Sequence, residues 1–489
     1  MGLGAQSPRV LAVLAIANGL VAQWLLFREQ LGLNVALIAA ATLAAGFAVA
    51  RRAPARIDRW IPVAALAFAA FPALRDEPPL LAFDIPALAA LLLAAAIALS
   101  GRRVSDLAPV ATLRLGANGL VAALVRGADV FGTVRPRVGP LAPALPVLRG
   151  AALAAPLLVT FALLFGSADA VFARVAGDFF DLRRWLDALR DAPGRGALAL
   201  VFAWLAAGGL WIAAHALPEP TGARIGAVAR RRSTEALVVV GSLDVLFAFF
   251  IALQIAYLFG GRDTMDLTGL TYSAYARRGF FELIAVAVLV GVIVLAIEWL
   301  RLRSRLLVAA ELLLVGLTYA VLVSAAYRLA LYQSAYGWSE LRVYAFALIG
   351  WLALCLAAAI VALALGGGTR LPHAVVLSGL LVAAVANVIG PAELSARANV
   401  DRFLHPELVP PDGYRGLDTG YLLTLGDAAI PDLVRAFPLL DAAAKTQLGC
   451  AIGPRSTLSA SLASWSYERE RAREALATID LPRCSAPRP

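Results

Sequence analysis

Long apolar runs, each closed by a short polar stretch, repeat along most of the chain. They cover Pro8–Phe27, Leu33–Ala50, Trp60–Leu74, Leu80–Ser100, Ala151–Phe172 and Gly196–Leu217. They continue as Ala236–Phe259, Gly279–Leu300, Leu306–Tyr332, Val343–Leu365 and His373–Pro391. About 20 apolar residues in a helix cross the hydrocarbon of a bilayer. Lipid offers no hydrogen bonds, so each run must satisfy its own backbone as a helix. The pattern predicts an all-α, polytopic helical bundle of about eleven spans. The first run has Arg9 at its head but no A-x-A cleavage pattern behind it, and it reads as a retained helix. The third is short and interrupted by Pro62 and Pro72.

Two regions break the rhythm. Residues 101–150 carry seven arginines and the prolines Pro136, Pro140, Pro143 and Pro146. The uncharged stretch between Arg114 and Arg126 is too short to span. This segment reads as a helix lying in the interface with its arginines toward anionic lipid headgroups. After Pro391 the chain turns polar, with Pro406, Pro410 and Pro411 in a linker-like stretch. Two helical patterns follow, Gly420–Leu439, split by Pro431, and Ser459–Ile479. In the second, Glu468, Glu470 and Glu474 alternate with Arg469, Arg471 and Arg473, as on a solvated face laced with ion pairs. The expected domains are a four-span segment over 1–100, an Arg-rich cytoplasmic segment over 101–150, a seven-span core over 151–391 and a small helical tail over 392–489.

Composition supports the membrane class. Of the 489 residues 61% are hydrophobic and 16% charged, against about 25% charged in soluble domains. The net charge of +10 is carried by arginine, with Lys445 the sole lysine. Most of these arginines sit in short loops between apolar runs, which fits membrane orientation and argues against a nucleic-acid partner. Placing the N-terminus in the cytoplasm puts Arg51, Arg52, Arg56 and Arg59, then Arg230, Arg231 and Arg232, then Arg301, Arg303 and Arg305 inside. An odd number of spans then leaves the tail outside. Of three cysteines, Cys355 lies inside a span, and Cys450 and Cys484 lie in the tail. An extracytoplasmic tail permits a disulfide between those two.

Standard catalytic signatures are missing: there is no G-x-x-x-x-G-K-[ST], H-E-x-x-H, G-x-S-x-G or C-x-x-C. His215, His373 and His405 are far apart, so no metal site and no cofactor are expected. Polarity within and beside the spans remains. At the outer edge the topology gathers Asp169, Tyr275, Arg277, Arg278, Glu282, Arg328, Glu340 and Arg342, with Tyr327, Tyr332 and Tyr336 nearby in sequence. Within a helix starting near Tyr272, Tyr275, Arg278 and Glu282 share a face. The cluster is either an entrance for a polar ligand or lipid headgroup, or an ion-pair network locking helix ends. Toward the inner side lie Asp244, Glu298 and Glu311. A charged Asp244 inside a span needs protonation, a partner such as Asn387, or a polar cavity.

Three stretches carry a family resemblance: Tyr272-Ser-Ala-Tyr-Ala-Arg-Arg-Gly-Phe-Phe-Glu-Leu283, Tyr336-Gly-Trp-Ser-Glu-Leu-Arg342 and Tyr421-Leu-Leu-Thr-Leu-Gly-Asp-Ala-Ala-Ile-Pro431. Together they resemble a bacterial multi-pass membrane family of unknown function, the four-one-seven-three group, which is related to the four-one-five-three group. The resemblance covers roughly 150–480 and implies a bacterial inner-membrane location without an established activity. The family pattern places an acid where this chain has Ala274.

Three functions follow as expectations. The first is a non-enzymatic membrane component, a sensor or assembly partner whose tail and arginine loops meet a membrane or periplasmic protein. The second is a transporter or channel for a polar solute. The third is a lipid-directed membrane enzyme.

Overall fold

The computed structural model describes residues 8–50, 52–105, 116, 118–120, 122–123, 191–215, 229–259, 280–299, 302, 304–365, 371–410, 413–452 and 461–480. Among these there are helices and no strands. Six helices are long and apolar enough to cross a membrane: Arg9–Leu26, Arg56–Leu74, Pro78–Leu99, Arg305–Tyr336, Glu340–Leu365 and Leu371–Ile389. Shorter apolar helical stretches are Leu33–Val49, Leu198–Ala214, Ala236–Ala252 and Leu283–Glu298. The predicted run Ala151–Phe172 and most of the Arg-rich segment 101–150 lie outside the described residues.

The chain divides into two units. The first comprises residues 1–73, 84–220 and 460–465. It contains α1 (Pro8–Leu26), α2 (Leu33–Val49), α3 (Trp60–Leu74) up to Ala73, α4 (Pro78–Leu99) from Asp84 onward, and α5 (Asp191–Ala214). Here α1 lies along α5 because both faces are stripped to small residues. Ala12 and Ala15 meet Ala206, Ala207 and Leu210. A Cβ on Gly19 would collide with the Ala199 carbonyl and with Ala203, so only glycine permits this approach. Small residues that let backbones close in are the usual basis of helix pairing in lipid. A polar pair adds to it, with the Asn18 amide donating to Thr42 Oγ1 of α2 at 3.0 Å. The turn into α2 is closed by buried Asn34, whose amide donates to the Leu25 and Gln30 carbonyls at 3.1 and 2.9 Å. The return of the tail over 461–465 docks here. Leu33 and Asn34 donate their backbone N–H groups to the Trp465 and Ala463 carbonyls at 3.1 and 2.8 Å. Fully buried Asp58 gathers the chain after α4. It accepts from the Val104 and Ser105 N–H groups at 3.0 and 2.9 Å and from Ser105 Oγ at 2.6 Å.

The second unit comprises residues 74–83, 221–459 and 466–489. Its apolar helices are α6 (Ala229–Phe259), α7 (Phe280–Trp299), α8 (Arg305–Tyr336), α9 (Glu340–Leu365) and α10 (Leu371–Ile389). Helix α8 packs against α6, α7 and α9, and α9 packs against α10. Leu307, Leu314, Val315, Val321 and Leu322 of α8 fill the middle of this core. The outward faces are equally apolar: Leu341, Leu354, Val361 and Leu365 on α9 are exposed, as are Val376, Leu381, Val385 and Val388 on α10. A helix apolar all round belongs in lipid rather than in water.

The tail forms a second core in the same unit. Its helices are α11 (Pro391–Leu404), α12 (Thr419–Thr424), α13 (Ile430–Ala436), α14 (Ala442–Ile452) and α15 (Tyr467–Leu476). Val400, Leu422, Ile430, Leu433, Leu448 and Ala472 are buried together. Two expectations change here. Pro391, read as the end of the last span, opens a new helix: Gly390 turns the chain at φ +68°, and proline is tolerated at the first helical position. The pattern over Gly420–Leu439 resolves into two short α-helices, α12 and α13, joined and followed by 3₁₀ turns. Pro431 sits in the first turn of α13 rather than breaking a longer helix. Cys355 is a free thiol and Cys450 takes part in a disulfide. Cys484 lies outside the described residues.

Candidate functional site

The turn between α8 and α9 is built from the stretch Tyr336–Arg342. Gly337 ends α8 with φ +81°, a conformation that disfavours any side chain. Asn399 of α11 then pairs with Trp338 as a neighbouring strand would. Its Oδ1 accepts from Trp338 N at 2.8 Å, and its Nδ2 donates to Trp338 O at 2.8 Å. A helix leaves its last carbonyls unsatisfied, and arginine supplies the donors here. Arg402 donates to the Ser334 and Ala335 carbonyls at 2.8 and 3.3 Å, and Arg342 donates to the Gly337 carbonyl. The Arg342 guanidinium also lies 4.3 Å from the centre of the Tyr332 ring. On the far side the Tyr421 hydroxyl accepts from Glu340 N at 2.9 Å.

These elements enclose a cavity of about 270 Å³. Its wall includes Tyr336, Trp338, Arg342, Arg402, Tyr414 and Tyr421, with Ser339, Asn399 and Asp418 adding polar groups. The Asp418 carboxylate accepts from Tyr421 N at 2.9 Å and caps α12. Burial, and then the charge of Arg342, hold the Arg402 guanidinium below its ordinary pKa. Burial, foremost, raises the Tyr421 hydroxyl.

A second polar centre lies in the same unit, at the α3–α4 loop. Arg75, with its side chain 8% exposed, donates from Nη1 to Glu393 at 2.6 Å and to Glu468 at 2.9 Å. It also donates to the Asn387 and Val388 carbonyls at the end of α10, at 3.1 and 3.3 Å. Asp76 pairs with Arg469 at 2.9 Å, and Glu393 pairs with Arg397 at 3.0 Å and with Arg471. Glu77 accepts from Ala392 N at 3.0 Å, at the start of α11, and from the Tyr344 hydroxyl at 3.1 Å.

The acids in this centre divide by environment. Burial works against ionised Glu393, but Arg75 and Arg471 outweigh it and hold its carboxyl below the usual range. Burial pushes Glu77 up to about 7, opposed by the Ala392 bond and aided by the charge of Glu340. For Glu468 burial exceeds the pull of Arg75 and drives the carboxyl up to about 8. At neutral pH Glu393 is therefore the ionised partner of Arg75, and Glu468 is mostly protonated.

Of the residues expected at the outer edge, Glu340 and Arg342 come together at the α8–α9 turn, and Arg328 lies earlier on α8. Asp169, Tyr275, Arg277 and Arg278 lie outside the described residues, as does the side chain of Glu282 on α7. Asp244 and Glu311 are buried on α6 and α8, and Glu298 is partly exposed near the end of α7. The Asn387 amide donates to the Ala383 carbonyl at 3.0 Å. Sequence reasoning missed Arg75, Glu77, Glu393, Asn399, Arg402 and Tyr414. The charged triplet Arg75-Asp-Glu77 between two apolar runs, and the Gly390-Pro391 pair as a helix start, were the available signals.

A family model described as Domain of unknown function (DUF4153) matches residues 62–436. This is the group named above as the related one. Its span begins earlier than the resemblance and takes in Arg75, the α8–α9 turn and Tyr421, but ends before α15. No curated protein and no solved structure shows a significant match.

Proposed function

This chain belongs to the DUF4153 family, a domain of unknown function, and from that premise we propose that it is a non-enzymatic component of the bacterial inner membrane, a sensor or assembly partner. The observation that carries the reading is the attachment of the tail to the spans of the second unit. Arg75, 8% exposed, joins Glu393 of α11 and Glu468 of α15 beside the end of α10. Burying charge is costly unless it is paired and hydrogen-bonded. The result is a tail core held at one orientation on membrane helices, which suits a surface that meets a partner.

The reading includes eleven spans, a cytoplasmic N-terminus and an extracytoplasmic tail. Ten of the predicted runs coincide with the apolar helices named above, which supports the count. The arginine-rich cytoplasmic loops support the orientation. The outer-edge group of Asp169, Tyr275, Arg277, Arg278, Glu282, Arg328, Glu340 and Arg342 belongs to the same proposal, as an ion-pair network that locks helix ends. So does a Cys450–Cys484 bridge closing the end of the tail.

The test is in-cell photocrosslinking from exposed tail positions such as Leu408 and Leu439. One defined protein adduct, lost in Arg75→Met, is the expected outcome. Adducts to lipid alone, or a protein adduct unaffected by that substitution, would overturn the reading.

A further inference from the structure

Two arginines face one cavity of about 270 Å³, and neither Arg342 nor Arg402 pairs with a carboxylate among the described residues. Each guanidinium carries five N–H donors. Arg402 directs two of its contacts to the Ser334 and Ala335 carbonyls, and Arg342 directs one to the Gly337 carbonyl. Donors remain on both. Asp418, the one carboxylate among the described residues of the wall, accepts from Tyr421 N. Among the described residues of the wall, two guanidiniums thus stand against the single carboxylate of Asp418, which leaves a net positive charge in a partly closed polar space. Like charges brought together this way are costly without an anion.

The rest of the wall indicates the kind of anion. Tyr336, Trp338, Tyr414 and Tyr421 offer ring faces and hydroxyls, and Ser339 and Asn399 offer short polar groups. Such a lining suits a small hydroxylated group beside the charge. The volume is near the lower end of ligand cavities, about 300 Å³, and is small for a nucleotide. The cavity lies where α8 ends and α9 begins, which for two spans is the depth of the lipid headgroups. Guanidinium forks match phosphate oxygens in pairs.

We propose that this cavity binds the phosphate of a small phosphate ester, either free in solution or as the headgroup of an anionic lipid. The site stands independently of the assembly reading, since it needs no protein partner.

The experiment uses the full chain in phosphatidylcholine nanodiscs. In one arm, glycerol 3-phosphate is titrated and followed by calorimetry. In the other, the protein is reconstituted in mixed phosphatidylcholine and phosphatidylglycerol, and co-purifying lipid is quantified. Arg342→Gln and Arg402→Gln are compared with wild type. Both arginines also hold carbonyls of the turn, so a third variant leaves them in place. Tyr414→Glu sets a carboxylate at the exposed mouth, where it competes for both guanidiniums. Its melting temperature serves as the check on folding.

A free ester site gives saturable binding of glycerol 3-phosphate, weakened at least tenfold in all three variants. A headgroup site gives no soluble binding but enriches phosphatidylglycerol over phosphatidylcholine, with the enrichment lost in all three. Absence of both, or binding unchanged in Tyr414→Glu, overturns the proposal. Tighter binding of glycerate than of glycerol 3-phosphate overturns the choice of phosphate.

Discussion

Replacing Arg75 with methionine removes the central cation of the buried pair network while keeping an unbranched apolar stem. The Arg75 side chain is 8% exposed, Glu393 12% and Glu468 2%. Removing one partner of a buried ion pair typically costs about 3–5 kcal/mol, because the other charge is left uncompensated. Two features place this case at the low end. Glu393 keeps Arg471 and Arg397, and Glu468, with its carboxyl near 8, is mostly neutral at pH 7 and loses only a hydrogen bond. The Asn387 and Val388 carbonyls lose their donor as well. A net loss of about 3 kcal/mol follows. At roughly 1.4 kcal/mol per tenfold, that is about a hundredfold in the local opening equilibrium. The assay is hydrogen exchange of the α11 and α15 amides in detergent, where local opening is read without assuming two-state unfolding of the whole chain. Arg397→Gln is the control. Its side chain is 52% exposed, and surface pairs contribute about 0–1 kcal/mol. If Arg75→Met accelerates exchange less than threefold, or no more than the control, the tail is not held by this network.

Three further outcomes are expected. Glu77 and Glu468 have folded pKa values raised from 4.5 to about 7 and about 8, so the folded state holds more protons than the unfolded one. Their stabilisation is complete below pH 4.5 and lost as pH rises through those values. Glu393, held low, works oppositely and loses its contribution only in acid. The protection of α11 and α15 should therefore fall between about pH 4.5 and 8 and level off above, and Glu468→Gln should flatten the fall. Protection that rises over this window contradicts the assignment. Alkaline phosphatase fused after residue 392 should be active, and an inactive fusion on an inserted protein would reverse the proposed orientation. Thiol labelling of denatured protein without reductant should modify Cys355 alone. Full labelling of Cys484 would exclude the Cys450–Cys484 bridge.

Much of this protein is decided locally, and that part was legible in the sequence. Whether a stretch such as Leu371–Ile389 crosses lipid depends on its own length and side chains, since the helix satisfies its own backbone and lipid takes the rest. The boundaries of α2, α3 and α4 fall within a few residues of their polar punctuation for the same reason. The tail behaved differently. The last apolar run reads as ending at Pro391, where the chain turns polar. The same residue starts α11, since the glycine at φ +68° redirects the chain first. The charged run 468–474 was read as a solvated face, yet Glu468 is buried against Arg75, 393 positions away. Arg402 gave no sign that it would close α8 or stand beside Arg342. Side-chain burial and charge pairing depend on what the folded chain brings near, and charge changes meaning with surroundings: Glu468 and Glu470 share a helix, a residue type and a spacing, but one is sealed from water and the other faces it. Periodicity describes one helix at a time, so only the packing of α11 and α15 against their neighbours could separate them.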